Sequence, residues 1–155
     1  SGAHFNPFVS LAMFFRKKIK GNLLKYYIPA QISGCLLGVM FANVFFEHSL
    51  LELSTKNRDG LHIFVSEIVA TFGLIFIIFA TLKDGKTIVA ISVATYISAG
   101  YWFTSSTSFA NPAVSLARTF TDSFTGINYL NTPTYILAEF IGLILAAYIL
   151  KIVYK

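Results

Sequence analysis

Cysteine is nearly missing from this 155-residue chain: the one copy, Cys35, lies inside an apolar run. That excludes a disulfide framework and a cysteine-built metal cluster, and reads as a small packing residue. Charge is scarce as well. Asp, Glu, Lys and Arg make up 12% of the residues against 55% hydrophobic ones, while a soluble domain carries roughly a quarter of its residues charged. Two stretches, residues 26–46 and 87–117, hold no charged residue at all. A membrane span needs about 20 apolar residues, so the first has spanning length. The second is too long for one ordinary helix and is broken by Asn111-Pro112. No nucleophile–base–orienter set and no phosphate-binding loop occurs, so neither an enzyme nor a cofactor is expected. The formal charge of +5 does not point to nucleic acid, because the basic residues stand at segment ends, where they report topology.

Only four prolines are present, and two of them share one context. The pattern Asn-Pro-x-Val-Ser-Leu-Ala-x-x-Phe occurs at residues 6–15 and again, 105 positions on, at residues 111–120. Asn is a favoured helix cap, and Pro at the first helical turn lacks only an N–H that would be unpaired anyway. Both copies fall where a membrane chain is at bilayer depth. A helix starting there must direct its unpaired N–H groups at something polar.

The chain reads as four spans and two half-helices: a short helix at 5–15, spans at 23–46, 61–82, 87–103 and 134–153, and a second short helix at 112–120. A polar loop covers 47–60, a tight turn 83–86, and a Ser/Thr-rich lead-in 104–110. Alternating the spans places Arg16, Lys17, Lys18, Lys20, Lys25, Lys83, Lys86, Lys151 and Lys155 on one side and only Lys56 and Arg58 on the other. The crowded side is assigned to the cytoplasm. Aromatic residues near the span ends, among them Tyr26, Phe45, Trp102 and Tyr154, fit an interfacial belt.

The repeat reaches beyond the short helices. Tyr27-Ile28-x-Ala30-x-x-x-Gly34-x-x-Leu37 matches Tyr135-Ile136-x-Ala138-x-x-x-Gly142-x-x-Leu145. A full unit then holds three spans, and an odd number inverts the next copy, which puts a site at the membrane midplane. Residues 1–155 are expected to form one transmembrane domain. Within it, 1–46 ends the first repeat and 61–155 forms the second. Because the chain opens at Ser1 inside a motif, about two spans are expected ahead of it.

In such a pair the half-helices meet by their N-termini, each worth roughly half a positive charge. Two of them aimed at one point repel cations. Each asparagine can cap its own helix through its carbonyl and turn its NH₂ to the lumen. The lead-ins 1–4 and 104–110 are expected to be extended, with carbonyls along the path. Donors at the centre, acceptors beside them and a positive midpoint suit small uncharged hydrogen-bonding solutes.

Ser-Gly-Ala-His-Phe-Asn-Pro at 1–7 and Ser-Phe-Ala-Asn-Pro-Ala-Val at 108–114 resemble the two signature loops of the major intrinsic proteins, the aquaporins and aquaglyceroporins. The mechanism that the resemblance brings is a donor-lined, dipole-guarded pore. It implies an all-α inverted-repeat bundle with two re-entrant half-helices, four of whose spans are present here. It also implies a multi-pass protein of the cell (plasma or inner) membrane, and homotetramers with the lipid bilayer as surroundings. The motif residues carried over are Asn6, Pro7, Phe8, Asn111, Pro112 and Ala113, with His4 and Ala110 in the pore-lining loops. The family's filter positions fall on Ala99, Ser108 and Val114, where the family usually has Arg at the last and water-selective members His at the first. Small and apolar groups there imply a wider, less polar filter that passes glycerol-like solutes. The second motif also resembles a bacterial subgroup associated with metalloids, which extends the class to undissociated metalloid acids.

Several residues keep two readings. Phe8 stands where the family prefers Ala, and it can spread the half-helices, turn to the lipid or narrow the pore. Arg118 shares a helical face with Val114 but is also four residues from Asp122, a salt-bridge spacing. Glu67, inside a span, is either a proton site or, as the resemblance implies, an acceptor for a re-entrant loop's backbone. Glu139 aligns with Gln31 and reads as scaffold. His48 and His62 are expected to be solvated. Gly34/Gly38 and Gly142/Ala146 are small-residue pairs that permit close crossing of spans. The rival functions are a proton-coupled secondary transporter with discontinuous helices and a non-conducting remnant.

Overall fold

The computed structural model describes residues 2–154. Ser1, in the first lead-in, and Lys155, in the charge count, lie outside the described residues. The helices are α1 (Pro7–Phe15), α2 (Leu24–Phe45), α3 (Leu61–Thr81), α4 (Lys86–Phe103), α5 (Pro112–Ala117) and α6 (Thr132–Val153), with 3₁₀ turns at Gly21–Leu23, Leu82–Asp84 and Arg118–Phe120. Among the described residues there is no strand. The expected all-helical membrane fold, with two short helices among long apolar ones, is the fold observed.

Three helical segments are long and apolar enough to cross a membrane: Gly21–Phe45, Leu61–Asp84 and Thr132–Val153. The expected span at 87–103 forms as α4 but is not one of these three. It opens on Lys86 and carries Tyr96, Tyr101 and Trp102, whose polar atoms lower its mean hydropathy.

The chain divides into two compact units. One holds the chain up to Asp59 together with Asn111–Ile136, so both half-helices belong to it. There α5 packs on α2, and α1 touches both. The other holds Gly60–Ala110 and the chain from Leu137 on. In that unit α3 and α4 pack along their lengths, and Tyr96 Oη donates to the Val69 and Ala70 carbonyls, 3.2 and 3.1 Å away. Gly142 of α6 lies so close to α3 that a Cβ would meet the Ile68 carbonyl and the Phe72 nitrogen. The matching glycines of α2 do not pack this way: around Gly34 and Gly38 there is nothing within 4 Å of where a Cβ would stand. The small-residue spacing on α2 therefore serves no close helix crossing within its unit, because each glycine opens onto a cavity instead.

Candidate functional site

Both half-helices begin as their residue types dictate. Asn6 is extended (φ −151°, ψ 121°), and its Oδ1 accepts from the Phe8 and Val9 N–H groups at 2.9 and 3.4 Å. Asn111 is likewise extended (φ −160°, ψ 109°), and its Oδ1 accepts from Ala113 N at 3.1 Å. Pro7 and Pro112 occupy the first helical turn. Each cap is worth about 1 kcal/mol. The Asn111 Nδ2 donates to the Phe5 carbonyl at 2.8 Å. That bond joins the start of α5 to the residue just ahead of the α1 cap, so the two half-helices meet by their N-termini. One N–H of Asn111 is thus spent on the junction itself rather than turned to a lumen.

The lead-ins are not simply extended. Positive φ occurs at Gly2 (78°), Ala3 (51°) and Phe5 (50°), and at Thr107 (64°), Ser108 (50°) and Ala110 (48°). The two sets are again 105 positions apart, so the repeat extends to the backbone conformation. For non-glycine residues this conformation costs about 1–3 kcal/mol each and persists only where the surroundings impose it. In the second copy Glu67 imposes it. The side chain is fully buried; Oε1 accepts from Phe109 N at 2.9 Å and Oε2 from Ala110 N at 2.8 Å. Two consecutive N–H groups thus converge on one carboxylate, the arrangement of an anion-holding backbone nest. In the first copy a side chain does the holding. His4 Nδ1 lies 3.0 Å from Ser10 Oγ, which also accepts from Gln31 Nε2 at 2.9 Å, and the His4 ring meets Tyr27 edge-on at 5.8 Å.

Phe8 is only 8% exposed. It is not on an outward face, and the half-helices still touch with it in place. Its counterpart Ala113 is buried. Of the expected filter positions, Ala99 is exposed on α4. Ser108 is buried, and its Oγ packs where a Cβ on Gly100 would stand. That glycine is the residue after Ala99, so these two positions lie together in one unit. Val114 belongs to the other unit, where it lines a cavity of about 490 Å³ with Cys35, His48, Arg118, Thr121 and Ser123.

The salt-bridge spacing of Arg118 and Asp122 is not realised as a helical pair. The helix gives way to a 3₁₀ turn at Arg118–Phe120 and then to extended Thr121. Asp122 instead accepts from the Thr55 N–H at 2.7 Å and from the Thr55 hydroxyl at 3.0 Å. Those bonds, and then the Lys56 charge, hold its carboxyl below the usual carboxylate range. His48 is not simply solvated either: its Nδ1 is 2.6 Å from Glu52 Oε1.

Three residues had no role from the sequence, and a fourth only a topological one. Ser10 anchors both His4 and Gln31, and its recurrence as buried Ser115 in the repeat was a usable signal. Asn43, an amide inside a charge-free span, donates to the Phe120 carbonyl at 3.0 Å. Gly126 sits where a Cβ would strike the Thr121 carbonyl. Arg58, read only as a topology charge, binds the Gly126 and Phe124 carbonyls at 2.8 and 2.6 Å. Nothing local marks Arg58, because its partners lie far along the chain.

The sequence profile described as Major intrinsic protein matches residues 1–149. The aquaglyceroporin AqpS of Rhizobium meliloti is 41% identical over 151 residues, covering 97% of this chain and 65% of the relative. Aquaporin-4 of Rattus norvegicus is 28% identical, covering 99% of this chain and 50% of the relative. Nodulin-26 of Glycine max is 27% identical, covering 99% and 58%. The chain therefore spans about half to two thirds of the length of these three relatives. With paired Asn-Pro half-helices meeting by their N-termini among apolar helices, this multi-pass membrane chain belongs to the major intrinsic protein family.

Proposed function

We propose that this chain is part of a passive transmembrane channel for water and small neutral solutes. The observation that carries the reading is the junction of the half-helices: two Asn-capped N-termini meet, and the amide of one is bonded to the carbonyl that precedes the other. Each N-terminus acts as roughly half a positive charge. Facing one another where water is scarce, they repel cations, including hydronium, and leave neutral solutes unopposed. Asn6 and Asn111 are the pore asparagines in this reading, with His4 and Ala110 in the loops beside them. Residues 1–155 then act as one channel domain, with 1–46 and 61–155 as parts of two repeats, in a homotetramer of the plasma or inner membrane.

Ala99, Ser108 and Val114 are the filter positions. None carries a charge or a large ring, and the relative AqpS, named as an aquaglyceroporin, supports a solute class wider than water. Glycerol-like polyols fit, as do undissociated metalloid acids, which present the same neutral hydroxyls. A proton-coupled transporter needs a carboxylate that exchanges its proton during the cycle, and Glu67 has both oxygens committed to backbone N–H groups. Flux in proteoliposomes made with the intact protein tests the reading. Swelling should rise linearly with the glycerol gradient and persist in part in Glu67→Gln. Saturable uptake that Glu67→Gln abolishes sinks the channel and favours the transporter.

A further inference from the structure

We propose that the turn between α1 and α2 holds the headgroup phosphate of an anionic phospholipid from the adjoining leaflet. The inference goes beyond the channel reading and stands without it, because it needs only a membrane chain. Lys17, Lys18, Lys20 and Lys25 fall within nine residues, and all four are exposed. Residues 1–46 contain no Asp or Glu. The unit that holds these lysines has its carboxylates at Glu47, Glu52, Asp59 and Asp122. Glu47 follows α2 at its other end, about 33 Å along a helix of that length. Asp122 joins the same loop through Thr55 and through Glu52, whose Oε1 accepts from Asp122 N at 3.3 Å. Asp59 ends that loop. The unit's cations and carboxylates are thus sorted to opposite ends of α2.

The backbone keeps the four lysines together. Lys17 N donates to the Phe14 carbonyl at 2.9 Å, Lys18 N to the Met13 carbonyl at 2.8 Å, and Leu23 N to the Lys20 carbonyl at 3.0 Å. Gly21 returns so close to the end of α1 that a Cβ there would meet the Phe14 ring, and α1 packs on α2. The lysines therefore gather at one end of the helix pair instead of trailing away on a loose loop. Like charges repel over about 8 Å at physiological salt, and a bound phosphate relieves that repulsion. Exposed rings adjoin them: Phe15 is 50% and Tyr26 63% exposed, and Lys25 Nζ lies 5.1 Å from the centre of the Tyr26 ring. Aromatic rings settle at headgroup level, and lysine stems lie along apolar surface with the ammonium outward. A phospholipid meets both features at once, its phosphate on the ammonium groups and its acyl chain against the rings. A free anion meets only the first.

Native mass spectrometry of the intact protein in neutral detergent, titrated with phosphatidylglycerol or phosphatidylcholine, tests the proposal. The parent should bind phosphatidylglycerol at least tenfold more tightly, since each lysine near an anionic surface contributes about fivefold. Lys17→Gln, Lys18→Gln, Lys20→Gln and Lys25→Gln together should bring that preference within twofold of unity, while the four matching Lys→Arg changes should keep it. Lys83→Gln with Lys86→Gln, on a different turn, should also keep it. If the fourfold variant does not assemble, Lys17→Gln with Lys18→Gln should lower the preference more than twofold. A parent preference short of tenfold overturns the proposal. So does a glutamine variant that keeps more than half of the parent preference, or an equal loss in the Lys83/Lys86 variant. Inorganic phosphate that displaces phosphatidylglycerol at equal concentration identifies a free-anion site and overturns it as well. None of these outcomes bears on solute flux, so the channel reading stands or falls separately.

Discussion

The two half-helices share a motif, a cap and a set of left-handed lead-in residues, yet they are held at both ends by different means. Upstream of α5 a buried carboxylate, Glu67, grips consecutive backbone N–H groups. Upstream of α1 an imidazole, a serine hydroxyl and a glutamine amide do the work. At the other end, α1 finishes itself. Lys17 takes φ 55°, and Lys18 N reaches back to the Met13 carbonyl at 2.8 Å, a Schellman-type closure. The α5 end has no such turn. Its outgoing carbonyls are met by Ser54 N, Ile127 N and the Asn43 amide, which come from the neighbouring loops and α2. A repeated sequence thus secures a repeated backbone at the start of each helix, while the supports have diverged into local ones for α1 and long-range ones for α5.

Removing Glu67 should break the comparison most severely. Glu67→Leu leaves two buried N–H groups unpaired, each costing about 1–3 kcal/mol, so a large fall in thermal midpoint in detergent is expected, with loss of solute flux. A fall no larger than that of His4→Leu would mean that the two lead-ins are equally well supported. Overpacking comes next. Gly142→Val must displace α3 and should cost about 1–3 kcal/mol. Gly38→Ala faces open space and should be neutral, or stabilising by up to about 1 kcal/mol, since alanine also favours the helix. Similar melting shifts for the two variants would contradict the difference in packing between α6 and α2.

A smaller contrast separates the asparagines. Asn6→Ala loses a cap worth about 1 kcal/mol. Asn111→Ala loses a cap and also the bond to Phe5, for roughly 1 kcal/mol more. Chemical denaturation in mixed micelles should rank Asn111→Ala as the less stable, and the reverse order would mean that the Phe5 bond contributes nothing. The smallest effect is expected at Asp122, in the long-range support of α5. Its carboxyl is held below the usual range in the folded state, so its contribution is complete above the unfolded-state value. It is lost as pH falls through the lower folded-state value. Hydrogen exchange at Thr55 N–H should therefore quicken over that acidic window in the parent and show no such change in Asp122→Asn.

Much of this is legible in the amino-acid sequence. The helix starts at Asn6 and Asn111 follow from local chemistry, because an asparagine cap followed by proline needs no distant partner. Five of the six helices lie within two residues of their expected bounds at both ends, since long apolar runs have few alternatives. The lead-ins were harder. An extended strand and a left-handed path look alike in residues such as Ala3, Ser108 and Ala110, none of which is glycine. Only a partner such as Glu67, 42 residues from Phe109, makes the costly conformation the stable one. The Arg118–Asp122 spacing misled because a helical pair requires the helix to continue, and here it stops at Phe120.

The sequence by itself determined what short-range chemistry and periodicity control: an all-helical membrane chain, a doubled Asn-Pro motif, and two capped helix starts. Tertiary structure decided what depends on pairing across the chain. It joined Asn111 to Phe5, committed both Glu67 oxygens to the second lead-in, and turned Asp122 onto Thr55. It also left Gly34 and Gly38 open while Gly142 was packed. The physical reason is that an unpaired buried polar group is costly wherever its partner comes from, and sequence separation carries no record of which partner that is.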